Sequence, residues 1–427
     1  MEKNNKKQMD DQSWSVLHEN SRDDAYTVPS KKLYPFQWNW DSCFTALGWA
    51  QADEKRAWQE IRTLYNSQWD RGLIPHIIFH KESQSYFPGP ELWRANRTPE
   101  TSGITQPPVG AMAVKKLYEG NKDVELSKQY INGLFEGMFK FHYWFHEERD
   151  PKHTGLVATY HPWETGRDNS AEWDEPLSRV PVQGIKPYHR RDTDLVDPEQ
   201  RPSDDEYDCY VALVKICREY DYDQIDLYDV IPFRIADVGT NAILLRSNHD
   251  LLWLMQEFDY DAQKQETVKG WIALQEKAME RMWNEQTQSY HSIDLLTGEF
   301  LPQVTSASFL PLFAGIVSKE RAEILANRIA EWSEIVSYMV PSLDPNDAAF
   351  DSKRYWKGPV WPIMNFMISL GFKNYGYVDI AERIRQDTAR LILEQGLEEY
   401  YDPLDGECLG GVGFTWTAAM WLYWCGK

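Results

Sequence analysis

Three short segments set tryptophans beside carboxylates and other polar groups: Trp38-Asn39-Trp40-Asp41, Trp163-Glu164-Thr165-Gly166-Arg167-Asp168 and Trp356-Lys357-Gly358-Pro359-Val360-Trp361. With 19 tryptophans the chain can supply flat apolar plates at several positions at once. A sugar presents a C–H face and a rim of hydroxyls, so its pocket takes aromatic plates and bidentate acceptors. Cutting its glycosidic bond takes two carboxyl groups placed across that bond. Asp168 is one candidate. It lies between Trp163 and Trp173, and a carboxyl shielded by indoles has a raised pKa and keeps its proton near neutrality, as a general acid must. The same Gly, Asp, Asn and Ser residues also make a polar turn at little cost. Glu399, in Glu398-Glu399-Tyr400-Tyr401-Asp402-Pro403, reads either as a carboxylate able to activate a water or as a solvated acidic helix end. Asp41 is a helix N-cap or a bidentate acceptor for two hydroxyls. Gln106 is a helix-start residue or a hydroxyl ligand.

Other chemistries find less support. His142 and His146 stand four apart on one predicted helix, but the Glu of HExxH is missing, so they read as ordinary helix histidines rather than zinc ligands. Asp221-Tyr222-Asp223-Gln224-Ile225-Asp226 lacks the Gly and distal Glu of a calcium loop and reads as a solvated stretch. Gly410-Gly411-Val412-Gly413 is no phosphate cradle; its glycines let backbone approach a ligand. No nucleophile elbow, catalytic-cysteine signature or nucleotide-binding loop occurs. Neither a metal nor a cofactor is expected.

The elements that must position these residues are helical. Leu126, Tyr130, Leu134, Met138, Phe141 and Phe145 recur on one helix face, as do Trp271, Leu274, Ala278 and Met282. The periodicity predicts about twelve helices, near 41–51, 55–69, 106–118, 123–148, 203–220, 236–258, 261–282, 304–315, 318–332, 359–374, 377–395 and 414–425. They run in hairpin-like pairs. Asp123 opens one, Pro107 follows Gln106 at the start of another, and Gly396 ends a third. Two segments, 71–105 and 149–202, break the rhythm and are too aromatic for disorder. They read as ordered loops walling one end of a helical barrel. No linker divides the chain, which predicts one all-α domain over 26–427 after a partly disordered or short-helical segment over 1–25.

A formal charge of −21 argues against nucleic acid and anionic membranes as partners. No apolar run reaches the roughly 18 residues of a membrane span, and the N-terminus has no apolar signal core. Five cysteines without a CxxC suggest reduced thiols and a cytoplasmic setting. A homo-oligomer is compatible with all of this.

Six pieces, in order, carry a resemblance to a known family: Tyr34–Ser42, Ser102–Pro108, Glu164–Ser170, Tyr355–Trp361, Glu399–Pro403 and Phe414–Ala419. Together the chain resembles glycoside hydrolase family 63, in particular its bacterial mannosylglycerate and glucosylglycerate hydrolases. The resemblance implies an (α/α)6 barrel and an inverting α-glycosidase acting on a small glycoside. It makes Asp168 the general acid and Glu399 the general base, with their carboxyl groups roughly 6.5–9.5 Å apart to admit a water. It places Asp41 among the sugar hydroxyls, and Tyr34, Trp38, Trp40, Tyr86, Gln106, Trp163 and Trp361 in the sugar pocket. Arg201, Tyr207, Tyr355 and Trp356 fall where the glycerate group is met; other arginines, Arg190 and Arg191, lie close by and read as charged surface. The competing readings are an α-glucosidase on a neutral disaccharide such as trehalose or kojibiose, a sugar epimerase, and a carbohydrate-binding barrel without catalysis.

Overall fold

Helices laid down in pairs fall into two concentric layers. The computed structural model describes residues 2–81, 86–120 and 122–427. Helix α1 (Glu2–Asn20) comes first, then α2 (Asn39–Trp49) with α3 (Glu54–Tyr65), and α4 (Gly110–Gly120) with α5 (Val124–Glu148). After α6 (Asp204–Glu219) come α7 (Val238–Glu257) with α8 (Ala262–Met279), and α9 (Leu310–Ala314) with α10 (Lys319–Ser333). The last are α11 (Pro362–Asn374) with α12 (Val378–Gln395), and α13 (Thr415–Met420). Helices α2, α4, α7, α9, α11 and α13 pack in a closed ring, α13 returning to α2. Helices α3, α5, α8 and α12 cover it from outside, and α1 covers α13; α10 buries Ala322, Leu325, Ala326, Ile329 and Trp332, the last edge-on to Phe309 at 5.2 Å. This is an (α/α)6 barrel.

The layers follow from side-chain patterning. Every residue of α2 is buried, as an inner helix enclosed on all sides requires. In α12 only Ala381, Ile384, Asp387, Thr388, Leu391 and Ile392 are buried, the stripe of an outer helix. Leu274 departs from its expected face: it is 37% exposed on α8, while Trp271 and Ala278 are buried.

Most predicted helices are present, with shifted ends. Asp123 caps α5, accepting from the Leu126 N–H, and Gly396 ends α12 at φ +106°. Helix α4 starts at Gly110, not at Gln106, because a residue before proline is driven out of the helical region and two prolines follow Gln106. The first residues form a 19-residue helix rather than a short one, anchored by Leu17 and by the Trp421 indole donating to Asp10 Oδ1 at 2.8 Å. Part of the acidic 221–226 stretch is not simply solvated: Asp223 caps a short helix over Gln224–Val230, and Tyr222 and Gln224 are buried.

One end of the barrel is walled by β-structure. β1 (Gln37–Trp38), β2 (Ile77–Phe79) and β3 (Glu100–Thr101) form a small antiparallel sheet. β4 (Glu398–Tyr401) and β5 (Cys408–Val412) form a hairpin that the helical periodicity did not predict. Among the described residues no helix is long and apolar enough to cross a membrane.

Candidate active site

At the walled end lies a cavity whose empty space, counted out through its open mouth into solvent, is about 700 Å³. Asp168 and Glu399, about 230 residues apart in the chain, both border it. So do Tyr34, Trp38, Trp40, Asp41, Tyr86, Gln106, Trp163, Arg201, Tyr207, Tyr355, Trp356 and Trp361. All fourteen residues selected from the sequence are thus brought to one site.

Glu399 is a strand residue, not a helix end. Its Oε1 accepts from the Tyr34 hydroxyl at 3.1 Å and the Tyr355 hydroxyl at 3.4 Å, and its Oε2 from the Gly411 N–H at 2.8 Å. Arg201 Nη1 lies 3.6 Å from Oε2. The Gly411 contact requires β5 to fold tightly over β4. Gly410 allows this at φ +76°, where a Cβ would strike Tyr400 and Glu399 itself. Burial pushes the Glu399 carboxyl above the ordinary glutamate range, while Arg201, the N–H and the phenols pull it back. A carboxylate with this many donors is the one built to carry charge.

Asp168 differs. No side-chain hydrogen bond is made to its carboxyl among the described residues, and the group opens onto the cavity. Enclosure by protein pushes its pKa up to about 7; Arg201 opposes the rise and Glu399 adds to it. It therefore holds its proton near neutrality. Its turn is clamped from both sides. Arg149 makes a buried two-pronged contact with Glu164, one prong at 2.6 Å, and Glu164 also accepts from the Tyr160 and Thr105 N–H groups. Arg167 pairs with Glu172 and Asp237. Gly166, at φ +70°, leaves room for Trp40, whose ring a Cβ would meet. The polar turn and the cavity-facing carboxyl are therefore one object.

Asp41 lies within the first turn of α2 but does not cap it; Trp38 holds that position without a side-chain cap. Burial raises the Asp41 pKa well above its ordinary value, and its carboxyl has no side-chain hydrogen-bond partner among the described residues. Gln106 Oε1 accepts from the Trp40 N–H at 3.2 Å. Trp356 and Trp361 stack at 3.9 Å, and Trp361 stacks on Tyr400 at 4.6 Å. Tyr86 meets Trp38 edge-on at 5.3 Å. Tyr355 holds φ +41°, in the left-handed region; the Trp361 indole donates to its carbonyl at 3.1 Å. The Tyr207 hydroxyl donates to the Phe87 carbonyl at 3.2 Å.

Arg201 is buried and crowded by partners. Nη2 donates to the Tyr34 hydroxyl at 2.7 Å, Nε donates to Asp192 Oδ2 at 3.2 Å, and the guanidinium lies 4.0 Å from the Tyr355 ring. Its Nη1 is buried without a hydrogen-bond partner. Arg190 is not charged surface: it is 6% exposed and paired with Asp192, whereas Arg191 is exposed.

Sequence reasoning missed His76, Phe87, Asp192 and Trp416, which also line the cavity. Trp416 fell within a matched segment, Phe414–Ala419. His76 and Asp192 carried no signal, a lone histidine and one acid of a mixed-charge loop. His142 and His146 are remote from this cavity: Asn248 Oδ1 pairs with His142 Nδ1 at 2.7 Å, and Asn248 Nδ2 with His146 Nε2 at 3.0 Å. Among the described residues no group of three His, Cys, Asp or Glu is disposed to hold a metal ion.

Residues 34–417 match the family model described as the mannosylglycerate hydrolase MGH1-like glycoside hydrolase domain. A mannosylglycerate hydrolase of Selaginella moellendorffii, MGH1, is 48% identical over 413 residues, 96% of this chain and 84% of its own. The crystal structure of a mannosylglycerate hydrolase from Thermus thermophilus, in complex with Tris and D-glycerate, superposes with a TM-score of 0.95 at 46% identity, over 97% of this chain and 99% of that one. A glucosylglycerate hydrolase of Mycolicibacterium hassiacum is 32% identical over 94% of each chain.

Proposed function

The chain belongs to the family of mannosylglycerate hydrolase MGH1-like glycoside hydrolases, and from that premise we propose that it hydrolyses mannosylglycerate, glucosylglycerate or both, with inversion at the anomeric carbon. The observation that carries the reading is the shared cavity, with Asp168, raised to about 7 by enclosure, and Glu399, which accepts from two phenols and an N–H, facing it together. Asp168 donates its proton to the glycosidic oxygen as the bond to the anomeric carbon breaks. Glu399 takes a proton from a water, whose oxygen bonds to that carbon from the opposite ring face. Asp41, whose carboxyl is left unengaged by other side chains, accepts from two sugar hydroxyls, and the tryptophans lie against the C–H face. The Nη1 of Arg201, which makes no hydrogen bond though it lies 3.6 Å from Glu399 Oε2, supplies a donor for the glycerate carboxylate, where a guanidinium offsets the repulsion of an acidic protein. The five unpaired cysteines support a reducing, cytoplasmic setting.

The test is a release assay with mannosylglycerate, glucosylglycerate, trehalose and kojibiose side by side, the product anomer being read by NMR. Turnover of the glycosylglycerates with an inverted first product is expected. In the same assay Arg201→Ala should raise KM for the anionic substrates far more than for an uncharged α-glycoside. Preference for a neutral disaccharide would refute the substrate, and a retained anomer the mechanism.

A further inference from the structure

Asp192 borders the cavity but has no part in the roles above. It belongs to a loop whose neighbours Arg191 and Leu195 are exposed, yet its own side chain is only 10% exposed. Its carboxylate is shared between two guanidiniums. Oδ2 accepts from Arg201 Nε at 3.2 Å and Arg190 Nη2 at 2.8 Å, and Oδ1 accepts from Arg190 Nε at 3.2 Å. Arg190 is held in turn by the Pro202 carbonyl at 2.6 Å and by the Tyr207 ring, 4.3 Å below it. Signs therefore alternate along a line from Arg190 through Asp192 and Arg201 to Glu399.

Arg201 has a flexible stem, and stacking on Tyr355 alone leaves its guanidinium free to turn in plane. The bond at Nε removes that freedom. With Nε held by Asp192, Nη2 faces the Tyr34 hydroxyl at 2.7 Å and Nη1 faces Glu399 Oε2 at 3.6 Å. Tyr34 passes the constraint on, donating to Glu399 Oε1 at 3.1 Å. We propose that Asp192 is a positioning residue for the hydrolysis, orienting the Arg201 guanidinium toward Tyr34, Glu399 and the open cavity. This rests on the assignment of Glu399 and Arg201 to the reaction.

The line also sets charge. Burial lifts Asp192, but Arg201 and Arg190 outweigh it and hold the carboxyl below the ordinary aspartate range, so Asp192 is ionised wherever the enzyme works. Its charge favours the protonated form of Asp168. The titratable groups facing Asp168 are Arg201, Glu399, Asp192 and Asp41. Its phenolic neighbours are Tyr34, Tyr86, Tyr210 and Tyr355. Removing one negative charge from this set lowers the Asp168 pKa, because the ionised form is repelled less.

Two variants separate position from charge, each assayed as a kcat/KM profile against pH with mannosylglycerate and by 13C NMR titration of the Asp168 carboxyl in substrate-free protein. Asp192→Asn should lower kcat/KM about ten- to a hundredfold, the scale of a small misplacement at a reacting centre. It should also move the basic limb and the Asp168 titration down by roughly half a pH unit, as expected of one unit charge several ångströms away. Asp192→Glu keeps the charge but displaces Arg201, so it should lose rate to a similar extent, and because Arg201 is the cation that lowers Asp168 any movement of the limb should be upward, opposite to that in Asp192→Asn. A wild-type kcat/KM in Asp192→Glu overturns the proposal, and so does an unmoved Asp168 titration in Asp192→Asn. Should Asp192→Asn fail to fold, Asp192→Glu carries the test. The titration needs no turnover, so a wild-type protein inert toward glycosylglycerates would refute the substrate and leave the Asp192 result readable.

Discussion

Two carboxyl groups facing one cavity would be equivalent if their surroundings were. They are not, and the difference predicts the pH dependence. Glu399 collects an N–H, two phenols and a nearby guanidinium; Asp168 shares the influence of Arg201 but has no side-chain hydrogen bond to its carboxyl among the described residues, and is pushed up to about 7. On the proposed roles the rate is bell-shaped. It rises with pH as Glu399 ionises, at a pH above the ordinary glutamate range because burial raises that group. It falls as pH passes about 7 and Asp168 loses its proton. Asp168→Asn and Glu399→Gln should each lower kcat by about 10²–10⁴ while leaving KM within a few-fold. Steady-state profiles of both variants check this, and Asp168→Asn should abolish the basic limb. A wild-type rate in either would remove its role.

At the scale of elements, the site depends on backbone that helical periodicity does not reveal. The β4–β5 hairpin carries Glu399 and folds back so that Gly411 can bond to it. That approach leaves no room for a side chain at position 410. Gly410→Ala should therefore displace Glu399 and lower kcat about tenfold or more. Its stability cost should be on the order of 1–2 kcal/mol, from the strained φ. Stopped assays and a thermal melt separate the two effects, and an unchanged kcat would show that the hairpin yields without moving the carboxylate. The Asp168 turn is held differently, by Arg149 on Glu164 and by Arg167 on Glu172 and Asp237. Its Gly-Arg-Asp-Asn-Ser sequence reads as a turn, but the partners that clamp it lie on other elements.

At the scale of the molecule, the seam between the outer helix α5 and the inner helix α7 encloses neutral imidazoles that have no part in the proposed reaction. Burial lowers His142 to about 4 and His146 to about 3, and Asn248 bridges them. In the unfolded chain each would protonate near 6.5, so the unfolded state binds more protons as pH falls from about 6.5 toward 4, and stability is lost over that window. Each such histidine removes roughly 1–2 kcal/mol between pH 7 and pH 5. The raised site carboxyls Asp41, Asp168 and Glu399 act in the opposite sense. The contribution of His142 is isolated by comparing wild type with His142→Gln in urea. The stability difference between them should shift toward the variant by about that amount on going from pH 7 to pH 5; a constant difference would mean that His142 is not held neutral.

Much of this architecture could be read from the chain. Apolar spacing marks the helices, because a helix must bury a stripe or be enclosed wherever it lies. Six ordered segments carry the family resemblance, and it is the resemblance that implied the barrel and singled out Asp168, Glu399 and Asp41. What only the tertiary structure decided is which groups touch. Glu399 could be a solvated helix end until β5 covers it, Arg190 could be surface until Asp192 and Tyr207 enclose it, and His76 is one histidine among ten until it stacks on Trp163 at the cavity wall. Burial and charge pairing between residues some two hundred positions apart set proton affinity and orientation here, and they arise from the closing of the ring rather than from any stretch of chain within it.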